Sequence, residues 1–206
     1  MWFIYSLLFI DKIVNSNKNM PDSTGNQLSI VAVTIFVTAL LVELVGYWWH
    51  RCAAHLGYAG DVIRKTHHKH HEIDYPHHDM VSEEYRVDTF WQGDTWPWFI
   101  PTVAFYIGIY ILWKLGYMSD FVTGIAAIWV PFHIWAISYI HDSYHVKGHW
   151  LARYEWYQQN KKFHDIHHYY NANYGISNYN MDRIFGTLVG EYDKSKTKQN
   201  IFPGFK

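Results

Sequence analysis

"LSIVAVTIFVTALLVELVGYWW", Leu28 to Trp49, decides the architecture. Its only formal charge is Glu43, and as a helix rising 1.5 Å per residue it is long enough to cross about 30 Å of hydrocarbon. Two further stretches read the same way: Trp96 to Leu115, uncharged as far as Trp113, and Phe121 to Ile140, in which His133 is the only ionisable group. Three such helices would overfill the interior of a soluble chain of 206 residues. They are therefore expected to be membrane spans over 28–49, 96–115 and 121–140. Pro101 and Pro131 fall inside the spans, which is tolerated where neighbouring helices re-satisfy the backbone. The slightly negative mean hydropathy of the whole chain does not oppose this, because histidines and polar connections lower an average taken over long apolar runs.

Working outward, the amino end "WFIYSLLFI" is apolar only as far as Asp11 and lacks a basic leader and a small-residue cleavage site, so it does not read as a signal peptide. Residues 1–14 are expected to form an interfacial anchor or part of a re-entrant segment. Charge sets the orientation. Arg51, Arg64, Lys65, Lys69 and Arg86 lie between the first and second spans, and most remaining basic residues follow the third. The short turn "LGYMSD" carries none. The positive-inside rule puts both basic segments in the cytoplasm, on the inner face of a bacterial membrane or of the endoplasmic reticulum. Trp48, Trp49, Trp91, Trp96 and Trp98 would form an aromatic belt at that boundary and roof an apolar entry.

A net charge of −1 offers no basic field for nucleic acid. One cysteine, Cys52, excludes a disulfide framework and any cysteine-held cluster within the chain. Histidine reaches fifteen, and its placement is organised. "HRCAAH" carries His50 and His55, "HHKHH" carries His67, His70 and His71, "HDSYH" carries His141 and His145, and "HDIHH" carries His164, His167 and His168. By the charge argument all four groups face one compartment. On a helix, positions i, i+3 and i+4 share a face, so each H-x-x-H-H is expected to offer three imidazoles to one point. His50 and His55 are five apart, about 140° round a regular helix, so the helix should end or distort between them.

Ten such nitrogens exceed the needs of one ion, since a structural zinc takes four and a catalytic zinc three with an open position. Two metals with about five ligands each fit the count. Imidazole suits iron, zinc, copper or nickel, so ligand type leaves the metal open. A redox pair could split dioxygen and attack an unactivated C–H bond; a zinc pair could only hydrolyse.

In order and spacing, these four groups resemble the fatty acid hydroxylase/sterol desaturase superfamily of membrane-bound di-iron oxygenases. The resemblance runs from about Val42 to Gly190 and includes "NYGISNYNMDRIFGTL", which is similar to the superfamily's tail signature of Asn-Tyr-Gly followed by Asp-Arg-hydrophobe-Phe-Gly-Thr. It implies an all-α integral membrane protein, a single domain over 1–206, with about four membrane-embedded helices and a cytoplasmic histidine-rich cap from 50–95 and 141–190. It implies two irons (zinc possible on purification), dioxygen as co-substrate, and electrons from an external donor of cytochrome b5 or ferredoxin type with its reductase. The expected reaction is hydroxylation of an aliphatic C–H bond in a fatty acyl or sterol-like lipid. The first-group spacing and "YGIS" are like fatty-acid 2-hydroxylases, whereas "FHDIHH" and "MDRIFGT" look like sterol C4-methyl oxidases. "ELVGYWWHRCAAH" is similar to β-carotene hydroxylases, but these have one residue more inside the third group. A carotenoid hydroxylase or a lipid desaturase is the alternative on this scaffold, and a zinc-dependent membrane hydrolase or metal carrier the remoter one.

His50, His55, His67, His70, His71, His141, His145, His164, His167 and His168 are the expected metal ligands. Glu43, seven residues before His50, is expected to orient that ligand, because a carboxylate inside hydrocarbon marks a function or a buried partner. Asp142 and Asp165 each follow a ligand histidine and are candidates for accepting its hydrogen bond. His149 is a weaker ligand candidate. His133 reads either as a polar lining of the substrate route or as a helix contact, and the acidic "SEEYRVD" either meets the reductase or covers the metals.

Overall fold

The computed structural model describes residues 24–86 and 96–192. The amino-terminal segment 1–14 and Trp91 lie outside the described residues. Those described are helical, with no strand among them and one isolated bridge between Ser82 and Val146. In order they form α1 (Thr24–Trp48), a π-helical turn (Trp49–His55), α2 (Asp61–Lys69), a second π turn (His70–Asp74), a 3-10 turn (Trp96–Trp98), α3 (Phe99–Lys114), α4 (Asp120–Tyr144), a 3-10 turn (Trp150–Arg153), α5 (Glu155–Tyr169) and α6 (Asn180–Phe185). Three stretches, Gly25–His55, Trp96–Lys114 and Asp120–Tyr144, are long and apolar enough to cross a membrane. The three spans expected from sequence are thus present as helices.

Two compact units are drawn from Met1–Leu44 with Phe99–Trp135 and from Val45–Trp98 with Ala136–Lys206. In the first, apolar side chains point outward: Phe36 and Ile128 are mostly exposed. Its buried hydroxyls bond their own helix, Thr34 Oγ1 donating to the Ile30 carbonyl at 2.7 Å and Thr38 Oγ1 to the Thr34 carbonyl at 2.6 Å. This is how a hydroxyl is satisfied where no water competes. Pro101 sits in the first turn of α3, where its missing N–H costs nothing, while Pro131 lies in the interior of α4. α3 ends at Gly116, whose φ of 75° closes the helix, and the Tyr117 N–H reaches back to the Leu112 carbonyl at 2.9 Å. Trp113 Nε1 then donates to Asp120 Oδ1 at the start of α4, 2.7 Å away, and Tyr106 Oη to the Ala127 carbonyl at 2.9 Å.

The second unit is organised around aromatic and imidazole rings. Tyr144, Leu151 and Tyr157 form one buried cluster, Ile166, Tyr170 and Ala172 another. Ser82 lies beside the end of α4, its N–H bonded to the His145 carbonyl at 2.9 Å and its carbonyl to the Lys147 N–H at 2.8 Å. The distortion expected between His50 and His55 takes the form of the first π turn. Its i→i+5 ladder spreads the winding by one residue, so that residues five apart return to the same side.

Candidate metal centre

All ten expected histidines are buried. Nine of them fall into two groups whose ligand nitrogens lie within 4.8 Å of one another: His50, His55, His67, His71 and His167, and His70, His145, His164 and His168. The tenth, His141, has its ring centroid 4.9 Å from those of both His70 and His164. The groups are neighbours, the rings of His71 and His168 standing 4.2 Å apart.

This partition corrects the expectation that each H-x-x-H-H serves one point. His67 and His71 go to the first group and His70 to the second; His164 and His168 go to the second and His167 to the first. On a helix the i+3 ring leaves about 60° to one side of residue i and the i+4 ring about 40° to the other, so the i and i+4 rings can converge on one point while the i+3 ring reaches a neighbouring one. The two boxes therefore trade one ring each.

Ring nitrogens establish what such a group can hold. The Nδ1 atoms of His50, His167, His168 and His145 approach the carbonyls of Tyr174, Ala172, Tyr75 and Met80 at 2.7, 2.6, 3.0 and 2.8 Å. A carbonyl only accepts, so each Nδ1 carries the proton and each Nε2 presents a bare lone pair. Those lone pairs are turned on each other. His67 Nε2 has the Nε2 atoms of His50, His55 and His71 at 3.0, 3.0 and 2.9 Å. His164 Nε2 has those of His145 and His168 at 3.0 and 3.1 Å. One N–H can serve only one of these contacts, so hydrogen bonding alone leaves lone pairs opposed. A cation among them removes the conflict. On an ion with bonds of about 2.1 Å, nitrogens at right angles stand about 3.0 Å apart, which is the spacing found. Both groups fit a metal.

Burial also keeps four of these rings neutral. Desolvation, followed by the neighbouring His67, pushes His167 down to about 3. Desolvation and adjacent imidazoles hold His71, His164 and His168 well below the usual histidine range. Neutral imidazole is the form a metal needs.

The carboxylates divide. Asp142 Oδ1 lies 3.1 Å from His141 Nδ1, the arrangement expected of it. Asp165 instead accepts from Lys161 Nζ at 2.7 and 2.8 Å; one position past His164, it projects to a different side of α5. Glu43 Oε1 is 3.3 Å from His133 Nε2, a contact between α1 and α4, and the Nδ1 of His50 is held by the Tyr174 carbonyl. His149 is no ligand: its Nδ1 accepts from the Leu151 N–H at 3.3 Å, and its Nε2 meets Tyr139 Oη at 3.1 Å.

A family model described as fatty acid hydroxylase matches residues 35–187, most of the chain and every histidine group. The chain belongs to the fatty acid hydroxylase family. No curated protein and no solved structure matches it. Membership of the fatty acid hydroxylase family, with groups able to hold metal, makes an oxidoreductase the indicated class. Sequence reasoning missed the four carbonyls that fix the imidazoles. A backbone acceptor leaves no signature of its own; the only signal was the tail motif, within which Tyr174 lies.

Proposed function

We propose that this chain is a multi-pass membrane di-iron oxygenase that hydroxylates an aliphatic C–H bond of a lipid, fatty acyl or sterol-like. The observation that carries the reading is the pair of adjacent all-imidazole groups with opposed Nε2 lone pairs, in a chain of the fatty acid hydroxylase family. The overall balance is R–H + O2 + 2e⁻ + 2H⁺ → R–OH + H2O, with the electrons drawn from an external cytochrome b5- or ferredoxin-type donor on the cytoplasmic side. Bound iron would supply the one-electron chemistry with dioxygen that breaking an unactivated C–H bond requires. His50, His55, His67, His71 and His167 would hold one ion, and His70, His141, His145, His164 and His168 the other.

The residues themselves perform three tasks. Burial keeps His71, His164, His167 and His168 neutral. The carbonyls of Tyr75, Met80, Ala172 and Tyr174 hold the Nδ1 protons, fixing each tautomer and aiming each Nε2. Trp98, its ring edge-on to His50 at 5.8 Å, would offer an apolar surface to a hydrocarbon chain beside the first group.

The test is purification under anaerobic conditions into lipid nanodiscs, metal analysis, and reaction with ¹⁸O2, a chemical reductant and a lipid panel. Two irons per chain and a lipid product bearing one ¹⁸O atom are expected. Turnover without dioxygen, or with zinc alone, would replace the oxygenase by a hydrolase.

A further inference from the structure

The four carbonyls that orient the histidines come from two separate loops, and each loop serves one group. Ala172 and Tyr174 accept from His167 and His50, both of the first group. Tyr75 and Met80 accept from His168 and His145, both of the second.

Each loop is pinned by one charged residue that touches no cluster histidine in any contact described. In the tail loop this is Asp182, fully buried on α6. Its Oδ1 accepts from the Tyr174 N–H at 2.8 Å and from Thr187 Oγ1 at 2.7 Å, and its Oδ2 from the Gly175 N–H at 2.7 Å. Thr187 is held in turn by Tyr47 Oη at 2.9 Å. The fit admits no Cβ at Gly175, where one would stand 2.2 Å from the Asn178 carbonyl and 2.9 Å from Asp182 Oδ2.

In the other loop the residue is Arg86. Its guanidinium donates to the carbonyls of Asp74, Asp79 and Val81 at 2.6, 3.1 and 3.3 Å and pairs with the Asp79 carboxylate at 2.7 Å. Its own N–H bonds the Tyr75 hydroxyl. Asp74 precedes Tyr75, and Asp79 and Val81 flank Met80, so one planar fork fixes the chain on either side of both acceptors.

We infer that Asp182 and Arg86 are positioning residues, each tuning one metal site alone: Asp182 the site of His50 and His167, Arg86 the site of His145 and His168. Neither would touch metal. Each sets the carbonyls that set the tautomer and aim of the ligands. This rests on reading both groups as metal sites.

The experiment measures ion retention in nanodisc-held protein, dialysed against a graded metal chelator, for Asp182→Asn and Arg86→Lys, alone and combined with His55→Ala or His164→Ala. Asp182→Asn sets an amide N–H against the Gly175 N–H; Arg86→Lys keeps charge and loses the fork. Each single variant is expected to weaken one ion by about 10-fold or more and leave the other as in the parent. Asp182→Asn should add nothing to His55→Ala and should remove the remaining ion from His164→Ala; Arg86→Lys should show the reverse. A merely structural role would weaken both ions and add equally to either ligand variant, and that pattern, or no change, overturns the inference. If Asp182→Asn does not fold, Thr187→Val, which deletes one of the three bonds, must give the same pattern at smaller size. A parent protein that holds no metal would sink the proposed function instead, so the two failures are distinguishable.

Discussion

The long apolar helices and the histidine-bearing unit invert each other. In the first, apolar side chains face outward and the buried polar atoms, such as Thr34 and Thr38, bond a carbonyl one turn away in their own helix. In the second, ten imidazoles are buried, and three of the four carbonyls that hold an Nδ1 lie far along the chain: 124 residues separate His50 from Tyr174, 93 separate His168 from Tyr75 and 65 separate His145 from Met80, while His167 reaches Ala172 five residues on. In the apolar helices these threonines are settled within one turn, although Glu43 meets His133 and Tyr106 the Ala127 carbonyl from one helix to another. Where several imidazoles must be aimed at one point, His50, His145 and His168 each depend on a loop distant in sequence.

Variants can break or sharpen that contrast. The largest effect is expected from His67→Ala, because His67 Nε2 faces three others. At least one ion should be lost and turnover should fall by more than about 100-fold, beyond what outer partners cost. Protease protection of the spans should stay unchanged, and retained metal with full activity would refute the grouping. Gly175→Ala comes next. Its new Cβ meets the Asn178 carbonyl, and overpacking of this kind costs about 1–3 kcal/mol, read as a lower melting temperature of the metal-loaded protein. His149→Ala removes an acceptor at the start of the 3-10 turn Trp150–Arg153. The expected loss is about 1 kcal/mol, with metal content at the parent level; a drop in metal would restore His149 as a ligand. Smallest is Asp165→Asn. It breaks a partly exposed pair with Lys161, worth about 1 kcal/mol or less, and should leave metal and turnover as they were.

The three helices long and apolar enough to cross a membrane were legible in sequence because length and composition alone mark them. The histidine groups were legible because four spaced clusters have no simpler explanation. Their partition was not, since box spacing says which rings share a helix face but not which faces meet across the fold. Asp165 misled because Lys161, one turn earlier on α5, engages its carboxylate, whereas Asp142, equally adjacent to a histidine, meets His141; adjacency alone does not tell the two apart.

That π turn has a further consequence. The first histidine pair is five apart on a widened turn, while His141 and His145 are four apart at the end of an ordinary α-helix. Both pairs nonetheless bring their rings into a cluster. In this chain a five-residue and a four-residue interval thus serve the same end because the backbone coils differently at each. Gap length between paired histidines accordingly records how the backbone coils there, and ranking relatives by that gap alone would sort them by local geometry, not by the molecule they oxidise.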